Sequence, residues 1–354
     1  MARFTLPRDL YHGKGALEAL KDFEGKKAIV CVGGGSMKRN GFLDRAVNYL
    51  QEAGMEVKLF EGIEPDPSVE TVMKGAAVME EFNPDWIVAM GGGSPIDAAK
   101  AMWIKYEYPD TTFEDMCKVF GLPKLRTKAH FCAVSSTSGT ATEVTAFSVI
   151  TDYEKGIKYP LADYELTPDM AIVDAELMMT SPRGLTACAG IDVLVHAVEA
   201  YVSIMASEYT NGLALEAIRL VFKYLPDAYN EGTTNIKARE KMAHASCMAG
   251  MAFSNAFLGI NHSMAHKLGA FHHLPHGMAN SLVMTEVIRF NSVDAPTKQA
   301  AFAQYKYPNA AWRYARIADH LGLGGNTNEE KVELLIKAIE ELQSKVNMPK
   351  TIKE

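Results

Sequence analysis

The sequence predicts an α/β N-terminal domain built on a Rossmann-like parallel sheet, joined to an all-α C-terminal domain. At 354 residues the chain is longer than one hydrophobic core usually serves. From Lys27 to about Asp174, short β-branched runs alternate with helical periods, the pattern of a parallel sheet covered by helices. After Thr180 the strand signals fade and long helical periods take over. The expected domains are therefore 1–180 and 181–354.

Taken in order, Ala28-Ile-Val-Cys-Val32 reads as a strand, followed by Gly33-Gly-Gly-Ser36 and a helix from Leu43 to Gln51. Val57-Lys-Leu-Phe60 is the second strand, Pro65-Asp-Pro-Ser68 opens a helix through Met79, and Trp86-Ile-Val-Ala-Met90 is the third strand. Gly91-Gly-Gly-Ser94-Pro-Ile-Asp97-Ala-Ala-Lys100 follows directly. Here Ser94 reads as an N-cap, Pro95 as the first helical residue and Asp97 as a capping-box acid. Three glycines let a diphosphate approach backbone N–H groups, and a helix N-terminus adds positive potential. A plain strand-turn-helix favours Gly and Ser too. Ser135-Ser-Thr-Ser-Gly-Thr140-Ala-Thr142, after the strand Phe131-Cys-Ala-Val134, is a second loop whose hydroxyls could clasp phosphate or ribose. Two polar loops at strand carboxyl ends are where open α/β sheets bind nucleotides. Gly33–Ser36 contains no acid to bond an adenine ribose 2′-hydroxyl, while Lys38 and Arg39 follow within a turn. That suits a 2′-phosphate; a flexible turn with two solvated cations fits equally well.

In the second half, helices are expected over about 185–205, 208–225, 236–258, 261–270, 298–321 and 328–345. Five of the ten histidines fall between His262 and His276, in His262-Ser-Met-Ala-His266-Lys-Leu-Gly-Ala-Phe-His272-His273-Leu-Pro-His276-Gly. His262 and His266 are four apart and would stack on one helix face, and His276 sits where the chain turns into another element. Met, Leu, Ala and Phe surround them, and apolar surroundings make unsatisfied imidazoles costly. Gly190-Ile-Asp192-Val-Leu-Val-His196 adds an acid and an imidazole four apart among apolar residues. Asp192, His196, His262 and His276 would supply three nitrogens and one carboxylate to a divalent metal, leaving room for a substrate oxygen. A surface His run and a buried Asp–His hydrogen bond are the plainer alternatives.

The net charge of −7, with lysines and arginines dispersed among acids, speaks against a nucleic-acid or anionic-membrane partner. Cys31, Cys117, Cys132, Cys188 and Cys247 lie far apart without a C-x-x-C, as expected for buried thiols in a reducing compartment. The opening Met-Ala-Arg-Phe-Thr-Leu-Pro lacks the apolar core of a secretory signal, so a cytoplasmic location is expected. The apolar stretch from about Ala243 to Ile260 carries His244, Ser246 and Asn255 and reads as a bundle helix rather than a membrane span.

Together these residues resemble the iron-containing (group III) alcohol dehydrogenase family over nearly the whole chain. Gly91-Gly-Gly-Ser-Pro-Ile-Asp97, Thr137-Ser-Gly-Thr140, Asp163-Tyr-Glu-Leu-Thr-Pro168, Gly190-Ile-Asp192…His196 and His262…His266…Pro-His276-Gly occur in family order. From Lys158 onward the chain is most similar to the alcohol-dehydrogenase half of bifunctional aldehyde/alcohol dehydrogenases, and its start to butanol dehydrogenases. The resemblance implies a dehydroquinate synthase-like architecture and reversible hydride transfer between a short-chain primary alcohol or aldehyde and NAD(P)(H). It implies a metal on Asp192, His196, His262 and His276, iron by resemblance although zinc suits three N and one O ligand equally. His266 would lie close to the substrate and pass its proton to solvent. Gly92, Gly93, Ser94, Asp97, Ser136, Thr137, Thr145, Phe147 and Lys158 would line the cofactor groove, with Gly35 and Ser36 at its adenine end. NAD-preferring members carry Asp where this chain has Gly35, so NADP(H) is expected over NAD(H). A homodimer or larger homo-oligomer is expected, and further C-terminal helices beyond Ile352-Lys-Glu354. Two rivals stand: a polyol dehydrogenase or lyase of the same architecture, and a metal-stabilised scaffold without turnover. A lyase would want Arg and Lys in its pocket, whereas Phe257, Leu258 and Phe271 are apolar.

Overall fold

The computed structural model describes residues 3–293 and 310–353, so the helix expected over 298–321 lies partly outside the described residues. The chain forms two compact units, Met1–Met179 and Thr180–Glu354. In the first, strand β1 (Asp9–His12) precedes β2 (Lys27–Gly33), the short helix α1 (Ser36–Arg39) and α2 (Phe42–Glu52). Then come β3 (Glu56–Ile63), α3 (Val69–Phe82), β4 (Trp86–Gly91), α4 (Gly93–Glu107), the short α5 (Phe113–Met116) and β5 (His130–Ser135). The unit closes with β6 (Phe147–Asp152), β7 (Ile157–Ala162) and β8 (Met170–Val173).

Six strands form one parallel sheet in the order β1-β8-β5-β4-β2-β3, and β6 and β7 make a separate antiparallel ribbon. The period of two along each strand sends alternate side chains to opposite faces. Ile29, Cys31, Ile87, Ala89, Phe131 and Ala133 pack with Val72, Met79 and Trp103 of α3 and α4. Val30, Val88, Met90 and Val134 pack with Leu43, Ala46 and Leu50 of α2. Both faces are covered, which is why these strands read as unbroken apolar runs. From β2 the chain steps outward to β3, then returns to β4 on the other side of β2. The carboxyl ends of β2 and β4 thus flank the reversal point of the winding, where such sheets bind ligands.

One helix start departs from expectation. The helix α4 begins at Gly93 with Gly92 at the N-cap and no side-chain cap, so Ser94 does not cap it and Pro95 is not its first residue. Asp97 forms no capping box because another segment claims it. Thr142 Oγ1 donates to its Oδ1 at 2.5 Å and Val149 N to its Oδ2 at 3.1 Å.

The second unit contains α6 (Arg183–Val202), α7 (Glu208–Glu231), α8 (Ile236–Ala256), α9 (Ile260–His272), α10 (His276–Ser292), α11 (Ala310–His320) and α12 (Asn328–Lys345). Helix α6 is mostly apolar and buried from Gly190 to Tyr201, and it is the core of this unit. It is long and apolar enough to cross a membrane, yet 78% of that apolar window is buried within the protein. A Cβ at Gly190 would collide with Leu225, so this glycine sets how closely α7 lies against α6. Helix α10 was not among the expected helices, and it starts at the Pro275-His276-Gly277 turn.

Candidate functional site

Two acids and a histidine interrupt the apolar, buried stretch of α6: Asp192, His196 and Glu199, with 3%, 4% and 6% of their surface exposed. Spacings of four and three place them on one helix face. Helix α9 brings His262, which is 3% exposed, and α10 brings His276 at its first residue. Gly277 permits that approach, because a Cβ there would run into the Cys188 carbonyl of α6. One ligand atom from each of Asp192, His196, His262 and His276 lies within 4.8 Å of all the others. Asp192 Oδ1 is 3.7 Å from His262 Nε2 and 3.5 Å from His276 Nε2, and Oδ2 is 4.0 Å from His196 Nδ1. Ligands on a tetrahedral zinc-sized ion with bonds of 2.0–2.2 Å stand roughly 3.3–3.6 Å apart. Three imidazoles and a carboxylate at this spacing fit a divalent first-row metal with only small adjustments. The His276 side chain is 41% exposed, so the cluster opens on that side. His266, one turn beyond His262, stacks on the His276 ring at 5.3 Å and is outside the four-residue set.

The electrostatics of the cluster follow from its burial. Desolvation alone would raise the Asp192 carboxyl, but His196, His276 and His262 hold it far below the usual range. Burial opposes a charged His262, yet hydrogen bonds and charge from Asp192 and Glu199 prevail and lift it to about 9. The amide of Asn280 adds neutral donation, with Nδ2 at 2.7 Å from Asp192 Oδ1 and 3.2 Å from Nε2 of both His262 and His276. Phe253 stacks on His196 at 4.4 Å, and Phe257 and Leu258, which follow α8, are half-buried. Phe271, expected beside them, is 78% exposed.

In the first unit, a cavity of about 200 Å³ sits at the reversal point of the sheet, lined by Gly33–Lys38, Glu61 and Gly91–Pro95 among others. It gathers Gly35, Ser36, Gly92, Gly93 and Ser94. The loop after β5 stands beside it. A Cβ on Gly92 would meet Thr137 Cγ2 at 3.3 Å, and Ser136 N donates to Gly91 O at 2.8 Å. Thr145 and Phe147 are fastened to α4 through Lys100, which donates to their carbonyls at 2.7 and 2.9 Å. Lys158 is on β7 and pairs with Asp66 at 2.7 Å. In the same cavity, Gly35 is left-handed at φ +89° and a Cβ there would stand 3.2 Å from Arg39 Nη1. The backbone thus accounts for the glycine where an acid might have stood. Lys38 is held by Glu61 at 3.0 Å, whereas Arg39 donates to Gly34 O at 3.4 Å.

Residues 7–175 match the family described as iron-containing alcohol dehydrogenase, and residues 186–354 match the C-terminal region of the Fe-containing alcohol dehydrogenase family. The chain belongs to the iron-containing alcohol dehydrogenase family. Membership makes it an oxidoreductase acting on an alcohol or aldehyde. It is 58% identical to an NADPH-dependent butanol dehydrogenase of Clostridium saccharobutylicum, over 100% of this chain and 87% of that protein. It is 50% identical to an aldehyde-alcohol dehydrogenase of Clostridium acetobutylicum, covering 100% of this chain but only 42% of that longer protein. The crystal structure of a 1,3-propanediol oxidoreductase superposes with a TM-score of 0.89 at 34% identity, over 100% of this chain and 89% of that one.

Four residues of this family member escaped the sequence reading. Glu199, Asn261 and Asn280 surround the ligand set, and Glu61 lines the cavity beside Lys38. Glu199 carried a signal, an acid on the same apolar helix face as Asp192 and His196. Asn280 is four after His276 and shares its face. Glu61 carried none, since its partner is 23 residues away.

Proposed function

We propose that this chain catalyses reversible hydride transfer between a short-chain primary alcohol, or its aldehyde, and NADP(H), with a divalent metal held by Asp192, His196, His262 and His276. The observation that carries this is the convergence of three imidazoles and one carboxylate within 4.8 Å, three of the four residues buried. Residues 181–354 are then the metal-binding catalytic domain and residues 1–180 the dinucleotide-binding domain. Asp192, His196, His262 and His276 would hold iron or zinc, which would supply positive charge to the substrate oxygen during hydride transfer. The nicotinamide supplies or takes up the hydride. Asp192 contributes the one full negative charge of the set, and the three imidazoles keep the ion's net charge high. His266, stacked outside the set, passes the hydroxyl proton to solvent. Gly92, Gly93 and Ser94 offer uncapped helix N–H groups to the diphosphate. Ser136 and Thr137 add hydroxyls beside them, and Asp97, Thr145, Phe147 and Lys158 shape the remainder of the groove. Gly35 and Ser36 border the adenine ribose, and Arg39 meets the 2′-phosphate that selects NADP(H).

The half-buried Phe257 and Leu258 and the Phe253 ring suit an aliphatic chain rather than a charged substrate. Buried thiols at Cys31, Cys132 and Cys247, none of them in a disulfide among the described residues, suit a reducing cytoplasmic setting. A homodimer or larger homo-oligomer, without nucleic-acid or membrane partners, completes the proposal. Metal content by mass spectrometry, together with butanal reduction followed on NADPH and NADH, tests it. His262→Ala should lose bound metal and turnover together. Full metal occupancy in folded His262→Ala would remove the metal assignment, and faster turnover with NADH would remove the NADP(H) preference.

A further inference from the structure

We infer that Glu199 is a positioning residue for the metal site. It closes the first turn of α9 and holds His262 in the tautomer that presents the Nε2 lone pair to Asp192 and His276. This role presupposes the metal site proposed above. Helix α9 starts after Gly259, which has no side chain to satisfy the first backbone N–H groups. Glu199 reaches across from α6 instead. Its Oε1 accepts from Asn261 N at 2.7 Å, and its Oε2 accepts from His262 N at 3.3 Å. The glycine is itself part of the fit, since a Cβ there would stand 2.8 Å from Glu199 Oε1. The same carboxylate pairs with His262 Nδ1 at 2.5 Å. An ionised carboxylate only accepts, so the proton at this contact is on Nδ1.

The other ring nitrogen agrees with this tautomer. Asn261 Nδ2 donates to Asn280 Oδ1 at 2.9 Å, so the nitrogen end of the Asn280 amide faces the imidazole, with Nδ2 3.2 Å from His262 Nε2. One amide proton goes to Asp192 Oδ1 at 2.7 Å, and the other is matched by His262 Nε2 when that nitrogen carries the lone pair, as it must to ligate a metal. Ligation through Nε2 needs that tautomer, and the partner of the distal nitrogen fixes it. Because the carboxylate is anchored by two backbone N–H groups, it cannot drift with the ring.

Glu199→Gln separates the two duties. The glutamine oxygen still accepts from Asn261 N, the shorter backbone contact, while its NH₂ opposes the Nδ1 proton and gives up the 3.3 Å contact to His262 N. Chelator competition with Zn²⁺ should show affinity about 10–100-fold weaker than wild type, with the melting temperature of the metal-free protein little changed. Glu199→Ala should lower both. Histidine-selective ¹⁵N spectra of the Zn²⁺-loaded wild type should place the His262 proton on Nδ1, whatever the folding of the variants. Wild-type Zn²⁺ affinity in Glu199→Gln, with Zn²⁺ lost in His262→Ala, overturns the proposal and leaves the metal site standing. So does a His262 proton found on Nε2. Zn²⁺ retained by His262→Ala overturns both.

Discussion

Beneath the strand-end loops of the first unit, the buried Lys100 ammonium donates to the carbonyls of Thr142 and Thr145 at 2.7 Å and of Phe147 at 2.9 Å. In the helical unit, the buried Asp192 meets imidazoles and one amide, with no lysine or arginine among the described groups acting on it. The first unit carries its cation on its own backbone. Burial pulls Lys100 down to about 8 against the charges of Asp97 and Glu143, and pushes Asp97 up to about 6 against Lys100 and its hydrogen bonds. A tethered ammonium cannot leave, so this cluster is architecture, pinning residues 142–147 to α4. Around Asp192 the partners are imidazole and amide nitrogens, and an imidazole nitrogen can exchange a proton for a metal ion. The difference separates a buried charge that shapes a loop from one that awaits a ligand.

The largest expected effect tests the edge of the helical cluster. General acid–base assistance is typically worth about 10²–10⁴-fold. His266→Ala should therefore lose kcat by that order and flatten the pH profile near neutrality, with metal content intact. Metal loss equal to that of His262→Ala would move His266 into the ligand set and redraw the cluster. A smaller effect tests the first unit's surface rather than its interior. A hydrogen bond to a charged group contributes about 1.5–3 kcal/mol, so Arg39→Ala should lower kcat/KM for NADPH about 10–100-fold and leave NADH nearly unchanged. This variant probes the ribose end more cleanly than an acid at Gly35, whose backbone at φ +89° would strain any side chain. An equal loss with both nucleotides would show that Arg39 supports the loop instead.

How much of this could be read from the sequence depended on range. Ala28–Val32 and Trp86–Met90 lie inside β2 and β4 because strands covered on both faces are uniformly apolar. Spacing within one helix was equally legible, as with Asp192 and His196 or with the turn that begins α10 at His276. The four-residue strands β1 and β8 are too short to show a period. The β6–β7 ribbon was hidden by Pro160, a residue that argues against a strand. Ser94 misled because capping chemistry is local, whereas Asp97 is drawn off by Thr142, 45 residues away. Glu199 eluded notice for the same reason: it caps a helix that begins some 60 residues later.

The smallest effect concerns Glu143, and it decides whether the first unit's cluster is a scaffold held at a cost. Glu143 is 1% exposed, and its Oε2 has no hydrogen-bond partner among the described residues. Burial lifts its pKa to about 7, with its own backbone, Ser135 and Lys100 pulling the other way. The folded value is above the unfolded one, so between the two the native state binds more protons than the unfolded chain. The stabilisation from this group is complete below the unfolded pKa and is lost as pH rises through about 7. Above that, the fold buries a poorly satisfied carboxylate. Glutamine has the same shape and no charge at any pH. Glu143→Gln should therefore melt higher than wild type at pH 8, and the gain should vanish as pH falls toward 5. In a unit of this size each kcal/mol moves Tm by roughly 2–4 °C, so the gain should be a few degrees at most. Differential scanning calorimetry across that range reads it directly. A pH-independent gain would mean that the carboxyl titrates alike in the folded and unfolded chain, so that burial does not shift it. A loss at pH 8 would mean that Lys100 depends on the Glu143 charge more than the fold suffers from burying it.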